Sequence, residues 1–287
     1  MTVRALYDVA APAKLNLFLH VVGRRADGYH LLQSAFVLID WCDTLHFELR
    51  DDGRLARHDL AAALPNDDLC LRAARALQAE SGTPLGADIS IAKHVPWGAG
   101  LGGGSSDAAS TLLALNRLWQ LHWPRERLQA LALALGADVP FFLGGRNAFV
   151  EGVGERLTAL AVPPQWLAVI KPAASLETRA IFASPALERS TRAVILAGFL
   201  ADCLDGFGRN DLQPVAEAQC PEVAQAAEVL YRQFGNSRMT GSGSAVFARA
   251  GTDDQPRVAM PADLAPGWVG RMCRSLQEHP LAGWASD

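Results

Sequence analysis

The stretch PWGAGLGGGSSDAAS, Pro96 to Ser110, carries more conformational constraint than any other part of the chain. Five glycines, Gly98, Gly100, Gly102, Gly103 and Gly104, fall within seven positions. Glycine has no Cβ, so backbone N–H groups can crowd around an anion. The following SSDAASTLLALNRLW places Ala108, Leu112, Leu115 and Trp119 at helical spacing. The N-terminus of that helix would add unpaired N–H groups and a positive dipole end to the same space. Ser105, Ser106 and Asp107 are residue types suited to capping it. Upstream, ADISIAKHV reads as a short strand. Strand, glycine loop and helix together make a phosphate cradle. Read alone, they equally make a flexible turn before a capped helix.

Two well-known phosphate loops can be compared directly. The pattern GxxxxGK[ST] is absent, because no lysine follows the glycines. A GxGxxG match exists at Gly98, Gly100 and Gly103. A dinucleotide fold would then need a second strand ending in Asp or Glu about 20 residues on. That region, RLWQLHWPRE, has no strand-like alternation, and Pro96 interrupts the approach to the loop.

Outward from the loop, AKLNLFLHVV near the start alternates around Leu15, Leu17, Leu19 and Val21. This is the pattern of a half-buried strand, with Lys14 and Asn16 together on the opposite face. Asp27-Gly28 is a turn, and SAFVLIDW resumes as strand. Residues 67–80 read as a helix. RERLQALALALGA reads as another, ended by Gly136. Pro163-Pro164 marks a junction between halves. WLAVIKP is a strand, 190–204 and 213–234 are helical, and SRMTGSGSAVFARA is strand, glycine turn, strand. A last helix is expected near 270–278. The chain is therefore α+β in two parts, 1–158 and 159–287.

LGADVPFFLGG sets Asp138 among Val139, Phe141 and Phe142, after a helix end and before Pro140. Alone, an aspartate there caps the next helix. A carboxylate in apolar surroundings, however, wants a cationic partner. Lys14 taken alone is a solvated lysine, and Tyr29 and His30 alone are packing residues. The turn around Gly241, Ser242 and Gly243 alone is a hairpin.

PWGAGLGGGSSDAAS resembles the phosphate motif Pro-x-x-x-Gly-Leu-Gly-x-Ser-Ser of the GHMP kinases. PAKLNLFLHVVGRRADGYHLLQS, LGADVPFFL and RMTGSGSAVFA resemble three further motifs of that family in order and spacing, over about residues 10–250. The triple glycine is similar to the branch acting on 4-diphosphocytidyl-2-C-methylerythritol rather than to mevalonate- or homoserine-type members. The resemblance implies an N-terminal domain like ribosomal protein S5 and a C-terminal ferredoxin-like domain. It implies ATP and Mg2+ as cofactors, and a cytidine-diphosphate-linked methylerythritol of isoprenoid precursor synthesis as substrate. Lys14 and Asp138 are then the catalytic pair. Pro96, Gly98, Gly100, Leu101, Gly102, Gly103, Gly104, Ser105 and Ser106 hold phosphate, and Ser106 is the protein's candidate metal ligand. Lys93, Asn66 and His94 flank the adenosine. Asn16, Gly241 and Ser242 meet the acceptor, while Tyr29, His30 and Phe182 grip the cytosine. Lys171 stays open between a phosphate neighbour and a strand-end lysine.

The bulk properties agree with a cytoplasmic enzyme. Half of the 287 residues are hydrophobic and the formal net charge is -4. No global positive field favours nucleic acid or membrane surfaces. No apolar run has membrane-spanning length, and the N-terminus lacks a signal-peptide pattern. Cys42, Cys70, Cys203, Cys220 and Cys273 show no CxxC, which suits reduced thiols. The seven histidines show no HExxH. A small-molecule kinase working as a monomer or weak homodimer is expected.

Overall fold

A computed structural model of the chain describes residues 3–61, 63–202 and 206–287. Two long strands, β1 (Ala5–Arg24) and β2 (His30–Arg50), form a hairpin through the Asp27-Gly28 turn. There follow β3 (Leu55–Asp59), α1 (Leu69–Ser81), β4 (Gly86–Ala92), α2 (Gly103–Leu118), α3 (Arg125–Leu135), α4 (Val139–Gly144), β5 (Ala148–Gly152) and β6 (Arg156–Ala159). The second half contains β7 (Trp166–Lys171), α5 (Thr178–Ala183), α6 (Leu196–Asp202), α7 (Gln213–Gln219), α8 (Pro221–Phe234), β8 (Arg238–Met239), β9 (Val246–Gly251) and β10 (Val269–Arg274).

The first sheet runs β3-β4-β2-β5-β6, with β1 on β2. β2 is long enough to pair β4 through residues 44–50 and β5 through residues 32–36. Among the described strand pairs only β3–β4 is parallel. A doubly wound parallel sheet is therefore absent among the described residues, and the dinucleotide reading of Gly98, Gly100 and Gly103 falls with it. The second sheet, β10-β7-β9-β8, is wholly antiparallel. Helices α1 to α4 cover one face of the first sheet, around Phe47, Leu77, Leu112 and Phe142. α7 and α8 cover the second sheet through Val215, Val223 and Leu230. A third apolar cluster joins the sheets, with Leu15 and Leu17 of β1 meeting Leu167 and Phe247.

That joint corrects the reading of residues 13–22. The strand is buried on both faces, because the second half covers one side and the loop elements the other. Lys14 and Asn16 are only 4 % and 1 % exposed, so the polar face belongs to a cleft rather than to solvent. Further expectations change. No helix spans 270–278: Val269–Arg274 is strand β10, paired with β7, and the residues after it are irregular. The helix expected over 213–234 is two, broken at Cys220 because Pro221 lacks an N–H. The tail from Ser275 crosses back to the first half: Leu276 N donates to Leu38 O, and Leu281 enters the first core.

Cys42, Cys70, Cys220 and Cys273 are free thiols, while Cys203 lies outside the described residues. Among the described residues no helix is long and apolar enough to cross a membrane.

Candidate active site

The glycine loop stands between two cavities. One, of about 420 Å³, is lined by the loop from Pro96 to Ser105 together with Pro65, Leu69, Lys93 and Asp107. The other, of about 310 Å³, is lined by Lys14, Asn16, Asp138, Phe182, Gly241 and Ser242 among others. Gly98, Gly100 and Gly102 line both and form the partition.

The partition needs glycine for two separate reasons. Gly98, Gly100 and Gly102 all have positive φ, where L side chains are strained. The loop also packs backbone to backbone against the second glycine turn. A Cβ on Gly100 would meet Thr240 O at 2.3 Å, and one on Gly241 would meet Gly100 O at 2.9 Å. Ser244 N and Ala245 N donate to Gly98 O and Ala99 O, tying the turn to the loop. α2 starts at Gly103 with Gly102 as its N-cap and no side-chain cap. Ser105, Ser106 and Asp107 thus lie inside the first turns, not at the cap. The backbone turn through left-handed Gly102 starts the helix in their place.

Lys14 and Asp138 face each other, with Nζ to Oδ2 at 3.6 Å. Lys14 Nζ also donates to Asn16 Oδ1 at 2.6 Å and lies 4.6 Å from the Phe36 ring centre. Burial lowers the Lys14 pKa below the usual lysine value, and Asp138 partly offsets this. β-bulges on either side of residues 14–16 re-aim these side chains. Asp138 does stand at the N-cap of α4, but its carboxylate makes no cap bond and is turned to the lysine. Asn16 is fixed in turn: its N donates to Thr240 Oγ1 at 2.9 Å, and its Nδ2 donates to Ser34 Oγ at 2.9 Å.

Lys93 lines the first cavity, but its ammonium is bonded to Asp43 and, at 2.6 Å, to Asp107 Oδ2. Burial opposes its charge, yet the two carboxylates win and its pKa is raised. Burial likewise pushes the Asp107 carboxyl up, to about 8, with the Asp43 charge adding to the effect. Asp43 Oδ1 accepts from His94 N and Val95 N, so this ion cluster shapes the entrance to the loop. Ser106 is fully buried and does not line the cavity; among the described residues its Oγ and Asp107 Oδ1 have no hydrogen-bond partner. Asn66 is exposed between lining residues Pro65 and Asp67 and does not itself line the cavity.

The cytosine trio is only partly assembled. Phe182 lines the second cavity, and the ring beside it is His30, with centres 5.1 Å apart. Tyr29 stands at the hairpin tip, 64 % exposed and outside the cavity lining. Lys171 is occupied by Ala173 O, Ala174 O and Ser175 Oγ, which makes it a loop brace.

Sequence reasoning missed Thr240, Asp43 and Asn210. Thr240 precedes Gly241 and could have been found by reading one residue further. Asp43 and Asn210 sit in no local pattern. Asn210 Nδ2 donates to Met239 O and Gly241 O, both at 2.8 Å, and its Oδ1 accepts from Leu212 N. Asn210→Ala strands two buried carbonyls and one N–H, so a loss of about 2 kcal/mol is expected. Urea unfolding checks it, and an unchanged midpoint contradicts this role.

The fold and the loop define a GHMP kinase. Residues 68–146 match the GHMP kinases N terminal domain, and residues 195–260 match GHMP kinases C terminal. A curated 4-diphosphocytidyl-2-C-methyl-D-erythritol kinase of Methylibium petroleiphilum is 69% identical over 99% of this chain and 100% of its own length. One of Albidiferax ferrireducens is 58% identical over 98% of this chain and 96% of its own length. A solved 4-(cytidine 5'-diphospho)-2C-methyl-D-erythritol kinase superposes with a TM-score of 0.76 at 33% identity, covering 93% of this chain and 98% of that one. The chain belongs to the 4-diphosphocytidyl-2-C-methyl-D-erythritol kinase family.

Proposed function

We propose that this chain transfers the γ-phosphoryl group of ATP to the 2-hydroxyl of 4-diphosphocytidyl-2-C-methyl-D-erythritol. The observation that carries the reading is the Lys14–Asp138 pair, set in the second cavity across a glycine partition from the first. ATP occupies the first cavity, with its phosphates on the loop from Pro96 to Ser106. The acceptor occupies the second, between Asn16 and the Gly241-Ser242 turn, with its base toward Phe182, His30 and Tyr29. Phosphoryl transfer needs mainly positioning and charge neutralisation.

Asp138 orients the acceptor hydroxyl and takes its proton, and Lys14 stabilises the negative charge left on that oxygen. Asn16 holds the lysine ammonium in place. The turn after Thr240 closes the far side and limits water. Residues 1–158 thus supply the nucleotide site and the catalytic pair, and 159–287, apart from the tail after Ser275 that packs on the first half, cover the acceptor.

Mg2+ fits the residues present. Among the described residues no cluster of three or more His, Cys, Asp or Glu could hold a metal by itself. Two buried oxygens that have no hydrogen-bond partner among the described residues, Ser106 Oγ and Asp107 Oδ1, stand at the start of α2. Mg2+ takes one or two protein oxygens and completes its shell with water and phosphate. Ser106 and Asp107 would hold it, and when bound it would neutralise phosphate charge. The chain is proposed to act in the cytoplasm as a monomer or weak homodimer.

An ADP-release assay with diphosphocytidyl-methylerythritol and mevalonate side by side tests the reading. Release is expected with the first alone and only with Mg2+ present. Release driven by mevalonate would instead assign the chain to another GHMP activity.

A further inference from the structure

The guanidinium of Arg189 is committed to four partners. Nη1 donates to Leu187 O at 3.0 Å, and Nη2 donates to Phe182 O at 3.3 Å and Ser184 O at 2.6 Å. Nε points to His30 Nε2 at 3.2 Å. Arg189 therefore fastens the segment bearing Phe182, from the second half, to the first residue of β2. It does so where the His30 and Phe182 rings meet.

A guanidinium has donors only. His30 Nε2 must then present its lone pair, and the single proton of the neutral ring sits on Nδ1. Nδ1 has no hydrogen-bond partner among the described residues, so it is a donor left over on a ring that packs against Phe182, which lines the acceptor cavity. Burial first, and then the charges of Arg189 and Arg24, lower the pKa of the ring below the ordinary histidine value. We infer that Arg189 is a positioning residue that fixes His30 as an Nδ1–H donor and so selects cytosine over uracil. This rests on the substrate reading above. N3 of cytosine accepts a hydrogen bond, whereas N3 of uracil carries a proton and repels a donor. Recognition of a base through its Watson–Crick edge is the usual way a protein tells pyrimidines apart.

Arg189→Met frees the tautomer and loosens the Phe182 segment. The expected result is a KM for the cytidine acceptor raised about tenfold, with kcat and the KM for ATP little changed. The ratio of CDP to UDP inhibition constants should shrink toward one. Arg189→Lys keeps one donor for Nε2 but loses the carbonyl bonds, and should recover part of the selectivity. In the wild type the acceptor KM should rise as pH falls through the lowered His30 pKa, because protonating Nε2 expels Arg189. In Arg189→Met that limb should move up toward the ordinary histidine value.

The tautomer can be read without turnover, by nitrogen NMR of histidine-labelled protein with His30 assigned from His30→Gln. A protonated Nδ1 and a bare Nε2 are expected. A ring protonated at Nε2, or an unchanged CDP-to-UDP ratio in Arg189→Met, overturns the inference alone. Failure of the wild type to bind CDP overturns the substrate reading and the selectivity with it. Should Arg189→Met not fold, the wild-type spectrum still decides.

Discussion

Asp138→Asn is expected to lower turnover roughly a thousandfold, within the range for removing a general base, while the fold survives. Asp138 is a third exposed and makes no cap bond, so little of α4 depends on its charge. Among the described residues its one ionic partner is Lys14, buried at 4 % exposure and bonded to Asn16. Removing the carboxylate leaves that ammonium without its counter-charge. Lys14→Ala should cost as much turnover, because charge on the acceptor oxygen then goes unanswered.

The pH profiles separate the two roles. Burial already lowers the Lys14 pKa, and Asp138 is what holds it up. Wild-type activity should therefore fall on the alkaline side, at a pH below the ordinary lysine value. In Asp138→Asn the raising charge is gone, so the residual activity should lose its alkaline limb at a still lower pH. Thermal melts of both variants guard against an unfolding artefact. Near-normal turnover in both folded variants would remove the pair from the mechanism.

Gly100→Ala should be the most damaging small substitution in the loop. Its φ is +73°, where a Cβ costs about 1–2 kcal/mol. Its Cβ would also lie 2.3 Å from Thr240 O, a backbone atom that cannot swing aside. Either the glycine loop or the turn carrying Gly241 and Ser242 must move. A shift near 1 Å at a phosphate-transfer site costs on the order of a hundredfold in rate. Gly235→Ala separates the two causes. Gly235 has φ +70° as well, but a Cβ there meets nothing within 4 Å. It should lose only the backbone strain, seen as a lower Tm with turnover intact. Equal turnover for Gly100→Ala and the wild type would show that the two loops do not need their close packing.

Local chemistry accounts for what could be read early. The loop from Pro96 to Ser106 announces itself because its glycines are constrained by backbone geometry at their own positions. The helices α1, α2 and α3 follow from apolar spacing within one segment. Asp138 could be singled out because its immediate neighbours are apolar. Pairing it with Lys14, however, came from resemblance to a family and not from the residues. Strands β3, β5 and β6 escaped because each is four or five residues long and leans on partners elsewhere. Strand β10 was mistaken for helix for the same reason: its register is set by β7.

The sequence by itself determined that an anion-binding loop precedes a helix, that the chain is α+β, and that a polar Lys14–Asn16 face lies on an apolar strand. Each of these depends on residues within about a dozen positions of one another, where φ, ψ and periodicity act directly. Only the tertiary structure decided that this face is buried between two sheets, that Lys14 meets Asp138, and that Asn210 braces the second glycine turn while Ser244 N and Ala245 N tie it to the first loop. Those contacts join residues at least 29 positions apart. Sheet pairing and packing bring such residues together, and no local preference of either partner encodes where the other will lie.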